Sequence, residues 1–303
     1  MEKICVITSF NNKYLNECSY KFLESYNMPF DLFIYSEENL NLNKYIIKNE
    51  HLKKLKLINL FNIDLEFKKF INDPGPNELM SKYNSSECND KCEEYCFLHI
   101  GNKKCKSKDC NNPRKGFLHC LNHNPFNGEY ENENENIKNI IKLTKKFSYK
   151  VFSIINCFYK YDYDYYIWID ADSIFKECMN YKAFIKIIKN ESLNFILAYL
   201  KRVNTYLEAG FMIFNKKNDK TLLFLEKIRK LYISKNIYYM QQTHDAFIWN
   251  YFLHKFQLRN HIFLDLTDDY CNKNDKNGNI NILDYTIIYK YISHIKGLKK
   301  LKN

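Results

Sequence analysis

Glycine and proline are scarce in this chain, 7 and 5 in 303 residues, and the glycines do not fall where phosphate-binding loops need them. Neither GxGxxG nor GxxxxGK followed by Ser or Thr comes after the first apolar run, which argues against a dinucleotide-binding fold and a P-loop NTPase. No apolar stretch approaches the roughly 20 residues of a membrane helix. The start, MEKICVITSF, has too short an apolar run for a signal peptide and goes straight into a strand. The expectation is a soluble, cytoplasmic protein with no transmembrane segment. No Arg-rich tract and no basic-aromatic interleaving points to nucleic acid. The CxxC pairs that usually mark a zinc knuckle are missing as well.

What is present bounds the chain from the other side. Hydrophobic residues make up 46% and aromatics 17%, enough for a sizeable core in one large domain or one domain with an insert. Lys, Asn, Ile and Tyr are abundant. We read this as the codon bias of an AT-rich genome, that of a low-GC cell or of a large DNA virus working in its host's cytoplasm. Many of the lysines are then solvated surface. The net charge of +11 still suits a ligand that carries phosphates.

In chain order, Ile4–Thr8 reads as a buried strand, followed by a polar loop and a helical pattern from Leu15 to Tyr26. Strands are expected at Asp31–Tyr35 and Leu55–Leu60, with a helical segment near Leu42–Leu52 between them. Such alternation builds a parallel sheet flanked by helices. At Asp73-Pro-Gly-Pro76 the pattern breaks. Residues 73–128 are polar and hold six of the 11 cysteines, Cys88, Cys92, Cys96, Cys105, Cys110 and Cys120, with His99, His119 and His123 among them. This stretch reads as an insertion into a domain made of residues 1–72 and 129–303. Three disulfides, a structural zinc in the 88–123 region and reduced thiols all remain open. The cytosolic expectation opposes disulfides, and the missing CxxC opposes zinc. An acidic hinge at Glu129–Asn136 leads into a helical pattern from Ile137 to Tyr159 that carries Lys150.

Tyr165–Ile169, YYIWI, is apolar, aromatic and β-branched, as a strand buried on both faces should be. It runs out into Asp170-Ala171-Asp172. Ionised carboxylates at the end of a buried strand are costly without a partner, and a divalent cation at the carboxyl edge of the sheet is the natural one, since open α/β sheets bind ligands there. Further on, helices are expected at Tyr181–Lys189 and Asp219–Ser234 and a strand at Phe195–Tyr199. Glu208-Ala209-Gly210 opens another apolar strand that ends at Asn215. A glycine inside a strand suggests close approach of another group. His244-Asp245 enters an apolar helical pattern, where Asp and Thr are good caps. Asn277-Gly278 reads as a hairpin turn. The EF-hand-like run around it is rejected, because Lys273 stands where calcium needs an oxygen.

Four of these segments, in this order, resemble GT-A glycosyltransferases: the first strand and loop, the DxD strand, the Glu-Ala-Gly strand and the terminal His294-Ile295-Lys296-Gly297. The last is similar to the end of the glycogenin and bacterial galactosyltransferase group. The resemblance implies a GT-A, Rossmann-like, mostly parallel sheet flanked by helices, interrupted by the Cys-rich insertion. It implies Mn²⁺ or Mg²⁺ held by Asp170, Asp172 and His294, and a nucleotide-sugar donor, a UDP-sugar first. Thr8, Asn12 and Tyr14 would contact base and ribose. Lys150, Asp170, Gly210, Lys296 and Gly297 would meet the donor sugar and diphosphate. Glu208, His244 and Asp245 would surround the reacting carbon, with a retaining course favoured. Relatives often carry Asp or Gln where this chain has His244, which blurs the roles there. The acceptor would be a hydroxyl of a glycan, a protein or a lipid-linked sugar. The rival readings are a glycan- or protein-binding relic of the fold and a sugar-nucleotide nucleotidyltransferase. The latter lacks its expected Gly-rich loop at Ser9–Tyr14.

Overall fold

The computed structural model describes residues 2–76, 133–188, 194–202, 206–240, 242–259, 261–267 and 282–294. Most of the Cys-rich stretch, the Asn277-Gly278 turn, and Lys296 and Gly297 lie outside the described residues. Nine strands are described: β1 (Ile4–Ser9), β2 (Asp31–Ser36), β3 (Lys56–Asn59), β4 (Tyr165–Ile169), β5 (Ser173–Phe175), β6 (Leu197–Leu200), β7 (Glu208–Asn215), β8 (Leu264–Asp265) and β9 (Ile292–His294). Seven of them form one sheet in the order β3-β2-β1-β4-β7-β6-β8, and β5 pairs with β9 in a small second sheet.

β1, β2, β3 and β4 run parallel, and β8 runs parallel to β6. β7 is antiparallel to both its neighbours, β4 and β6. This is the mostly parallel α/β sheet flanked by helices that the strand-helix alternation foretells. The reversed β7 has a consequence. Its first residues lie at the carboxyl edge of β4, where Ile169 pairs with Phe211 and the Asp170 amide donates to the Gly210 carbonyl at 2.9 Å. β6 ends at the same edge, with Leu200 opposite Glu208.

Side chains alternate across a strand, and two cores form accordingly. Cys5, Ile7, Phe33, Tyr35, Tyr166 and Trp168 point to one face, and the helices Glu133–Lys160, Lys220–Ile233 and Asp245–Gln257 cover it. Ile4, Val6, Leu32, Ile34, Tyr165, Ile167 and Ile169 point to the other. The 28-residue helix Glu133–Lys160 buries Val151, Phe152, Ile154, Ile155 and Phe158 against the sheet. The helical pattern that begins at Leu15 has an unexpected local form. Leu15–Ser19 is a π-turn between the helical segments Asn12–Tyr14 and Tyr20–Ser25. Among the described residues, no helix is long and apolar enough to cross a membrane.

Candidate active site

The DxD turn leaves β4 at the carboxyl edge of the sheet. Asp170 and Asp172 stand there with His294, which is 122 residues further on and reaches the site through β9. Ser173 of β5 is the register partner of His294, so the small sheet docks the imidazole beside the second acid. His294 Nε2 lies 2.5 Å from Asp172 Oδ1. One ligand atom from each of Asp170, Asp172 and His294 falls within 4.8 Å of the others. Burial by itself would lower the His294 pKa. The hydrogen bond and charge of Asp172, with the charges of Asp170 and Glu208, raise it above its ordinary value instead.

Gly210 faces this cluster. A Cβ on it would stand 3.1 Å from Glu208 Oε1, 3.3 Å from Asp170 Oδ2 and 3.3 Å from His294 Cε1. The missing side chain therefore leaves a cradle between the acids and the imidazole. Two carboxylates and one imidazole around such a cradle fit a cation that takes oxygen and nitrogen ligands, Mn²⁺ or Mg²⁺.

Behind the cluster sits Lys150. Its ammonium is 2.9 Å from Asp170 Oδ1 and 2.5 Å from Asp245 Oδ2, and it donates to the Ala209 carbonyl at 2.8 Å. An ammonium has three hydrogens, and these three acceptors take them. Burial disfavours the charge, but Asp170 and Asp245 hold the Lys150 pKa above the ordinary lysine value. Lys150 also lies 5.3 Å from the centre of the Trp168 ring. The indole Nε1–H donates to Asp170 Oδ1 at 2.7 Å.

Glu208, at the start of β7, is buried. Its Oε1 accepts from the Gly210 amide at 3.1 Å, and its Oε2 is paired with Arg202. His244 is the N-cap of the helix Asp245–Gln257. Its Nδ1 accepts from the Phe247 amide at 3.2 Å, and its Nε2 lies 2.6 Å from Gln242 Oε1. Burial lowers its pKa, and the nearby Asp245 charge pulls the other way. Asp245 begins the helix and reaches back to Lys150.

The residues expected around a base and ribose lie at the ends of β1 and β2. Thr8 is fully buried, and no partner for its hydroxyl is found among the described residues. The Asn12 amide group donates to Glu38 Oε2 at 2.5 Å, and its backbone N–H to Oε1 at 3.1 Å. The Lys146 ammonium lies 5.2 Å from the Tyr14 ring centre. The structure thus gathers Lys150, Asp170, Asp172, Glu208, Gly210, Asp245 and His294 at one edge, with His244 capping the helix that brings Asp245. Trp168, Arg202 and Glu38 escaped the sequence reading. Trp168 was visible only as strand composition, and no local pattern marked the other two.

No protein-family model matches the chain, and no curated protein matches it by sequence. Among the solved structures that its fold resembles are several glycosyltransferases. One is the apo form of GlyE from Streptococcus pneumoniae TIGR4, with 10% identity and a TM-score of 0.41, covering 88% of this chain and 46% of that one. The chain thus spans about half the length of GlyE. Another is mouse xyloside xylosyltransferase 1, with 9% identity and a TM-score of 0.42, covering 88% of this chain and 85% of that one. A third is the galactosyltransferase LgtC in complex with donor and acceptor sugar analogues. It has 10% identity and a TM-score of 0.41, and the match covers 97% of this chain and 87% of that one. These likenesses concern the overall layout, and the chemical reading rests on the side chains of the site.

Proposed function

We propose that this chain is a metal-dependent glycosyltransferase that moves a sugar from a nucleoside diphosphate sugar, a UDP-sugar first, to a hydroxyl acceptor. The observation that carries the reading is the convergence of Asp170, Asp172 and His294 around the cradle left by Gly210. Asp170 Oδ2, an oxygen of Asp172 and His294 Nε2 would hold the cation. When bound, Mn²⁺ or Mg²⁺ supplies Lewis-acid stabilisation of a leaving diphosphate.

The remaining roles follow from charge and place. Glu208 is set by Arg202 and the Gly210 amide. Beside Gly210 it can steady positive charge on a sugar carbon, as the favoured retaining course requires, or take the proton of an acceptor hydroxyl. Asp245 is held by Lys150, and His244 fixes the start of its helix. Lys150 ties the two acids, Asp170 and Asp245, together through ion pairs in a partly buried site. Thr8, Asn12 and Tyr14 are proposed to meet base and ribose, and Lys296 with Gly297 the diphosphate. Residues 73–128 are proposed to be an insertion in the catalytic domain. The acceptor is a hydroxyl of a glycan, protein or lipid-linked sugar.

The test is a thermal-shift panel of UDP, GDP, CDP and their sugars, with and without Mn²⁺. A ligand at 100 times its Kd should stabilise the fold by about 2.7 kcal/mol. The expected result is a rise with one nucleotide, dependent on Mn²⁺, and slow release of that nucleotide from its sugar in the absence of acceptor. Binding without any release would favour the non-catalytic relic. No metal-dependent shift with any nucleotide would overturn the proposal.

A further inference from the structure

Asp170 has two carboxylate oxygens, and the fold treats them differently. Trp168 and Asp170 are two residues apart at the end of β4. The alternation of the strand therefore turns both toward the face covered by the helix Glu133–Lys160. On that face the indole Nε1–H donates to Oδ1 at 2.7 Å, and the Lys150 ammonium reaches the same oxygen at 2.9 Å. Two donors fill the acceptor capacity of one carboxylate oxygen. Oδ2 is the oxygen left on the Gly210 side, 3.3 Å from where a Cβ of that residue would be.

We propose that Trp168 is a positioning residue that commits Asp170 to bind the cation through Oδ2 alone. The inference rests on the metal reading of the site and adds a residue which that reading does not contain. Lys150 divides its hydrogens among Asp170, Asp245 and the Ala209 carbonyl. The indole has a single hydrogen and directs it at Asp170. It carries no charge, so its hold on Oδ1 adds no positive field against the cation. Trp168 is also only 2% exposed, which locks the ring in place. Without the N–H, Oδ1 keeps only the shared Lys150 ammonium, and the carboxylate can rotate away from the Asp172–His294 pair or try to chelate through both oxygens.

The experiment measures Mn²⁺ affinity by calorimetry, and by electron paramagnetic resonance of free Mn²⁺, for the wild type and for Trp168→Phe and Trp249→Phe. Trp249 is the other tryptophan of the chain. It is fully buried against Phe214 and Phe224, so Trp249→Phe controls for the loss of an indole from the core. Outer partners of metal ligands are typically worth about 10–100-fold in affinity. Trp168→Phe should weaken Mn²⁺ by about tenfold or more, and Trp249→Phe should leave it unchanged. Equal affinity in Trp168→Phe and wild type overturns this proposal alone, as does equal weakening in both variants. A wild type that binds no Mn²⁺ overturns the metal reading with it. A second readout does not require Trp168→Phe to fold. In Trp249→Phe the one remaining tryptophan is Trp168, and paramagnetic Mn²⁺ should quench its emission with the calorimetric Kd. Unchanged emission at saturating Mn²⁺ overturns the proposal.

Discussion

Asp172 and His294 meet at 2.5 Å across 122 residues of sequence. The pairing of β5 with β9 brings them together, since Ser173 and His294 are register partners. The imidazole is thus delivered to the acids by backbone pairing, and a substitution at either end should act on the site and leave the large sheet intact. Asp172→Asn and His294→Ala should each weaken Mn²⁺ binding by more than the about 10–100-fold typical of outer partners, with the thermal transition still cooperative. Calorimetry of the folded variants checks this. Wild-type affinity in either variant would remove that residue from the ligand set.

Lys150 gives a second prediction. It is buried between Asp170 and Asp245. Removing one side of a buried ion pair commonly costs about 3–5 kcal/mol, because the other charge is left behind. Lys150→Met should therefore destabilise the fold by an amount of that order, at the lower end because Asp170 is partly solvated. Adding Asp245→Asn removes one of the stranded charges. The double variant should be more stable than the sum of the two single effects predicts. Urea denaturation of the four proteins in the cycle decides it. Strict additivity would show that Lys150 and Asp245 are not coupled.

The contrast between Lys150 and Asp170 shows what a sequence can and cannot carry. Asp170 and Asp172 were legible because YYIWI is unmistakable as a buried strand and acids at its end demand a partner. Strands β1, β2 and β7 were legible from their composition for the same reason. The direction of β7 was not, because an apolar strand buried on both faces looks alike in either sense. That direction is what sets Gly210 against Asp170. Lys150 could be placed on a helix before the acids, but its second partner, Asp245, lies 95 residues further along the chain. Arg202, just past the end of β6, pairs with Glu208 at the start of β7, where no periodic pattern exists to read. Trp168 gave only a propensity signal. The use of its N–H depends on Asp170 lying two residues beyond it on the same face, and on the helix that closes that face.

Gly210 separates site from scaffold. An added Cβ would crowd Glu208 Oε1 at 3.1 Å and Asp170 Oδ2 at 3.3 Å, and both are side-chain atoms. Alanine also costs less conformational entropy in a strand than glycine, by about 0.5–1 kcal/mol. Gly210→Ala should thus keep or slightly raise the melting temperature while weakening Mn²⁺ and nucleotide binding. Differential scanning calorimetry paired with Mn²⁺ titration checks both halves. A variant that melts normally and binds normally would mean that the cradle is not the ligand site.

His244 carries a prediction about pH. Burial holds its imidazole below the ordinary pKa of 6.5, and the neutral Nδ1 accepts the Phe247 amide at the start of the helix. In the unfolded chain the same imidazole takes up a proton near its ordinary value, whereas the folded state resists it. The stabilising contribution is therefore complete above 6.5 and is lost as the pH falls through 6.5 toward the lower folded-state value. Protonation of Nδ1 would also remove the cap, an interaction worth about 1 kcal/mol. Asparagine caps helices well and does not titrate. His244→Asn should therefore lose less stability than the wild type when urea unfolding at about pH 8 is compared with unfolding at about pH 5.5. His254, whose pKa is also lowered by burial, is present in both proteins, so its contribution cancels in the comparison. Identical acid-side losses in the two proteins would show that His244 is not held neutral by the fold.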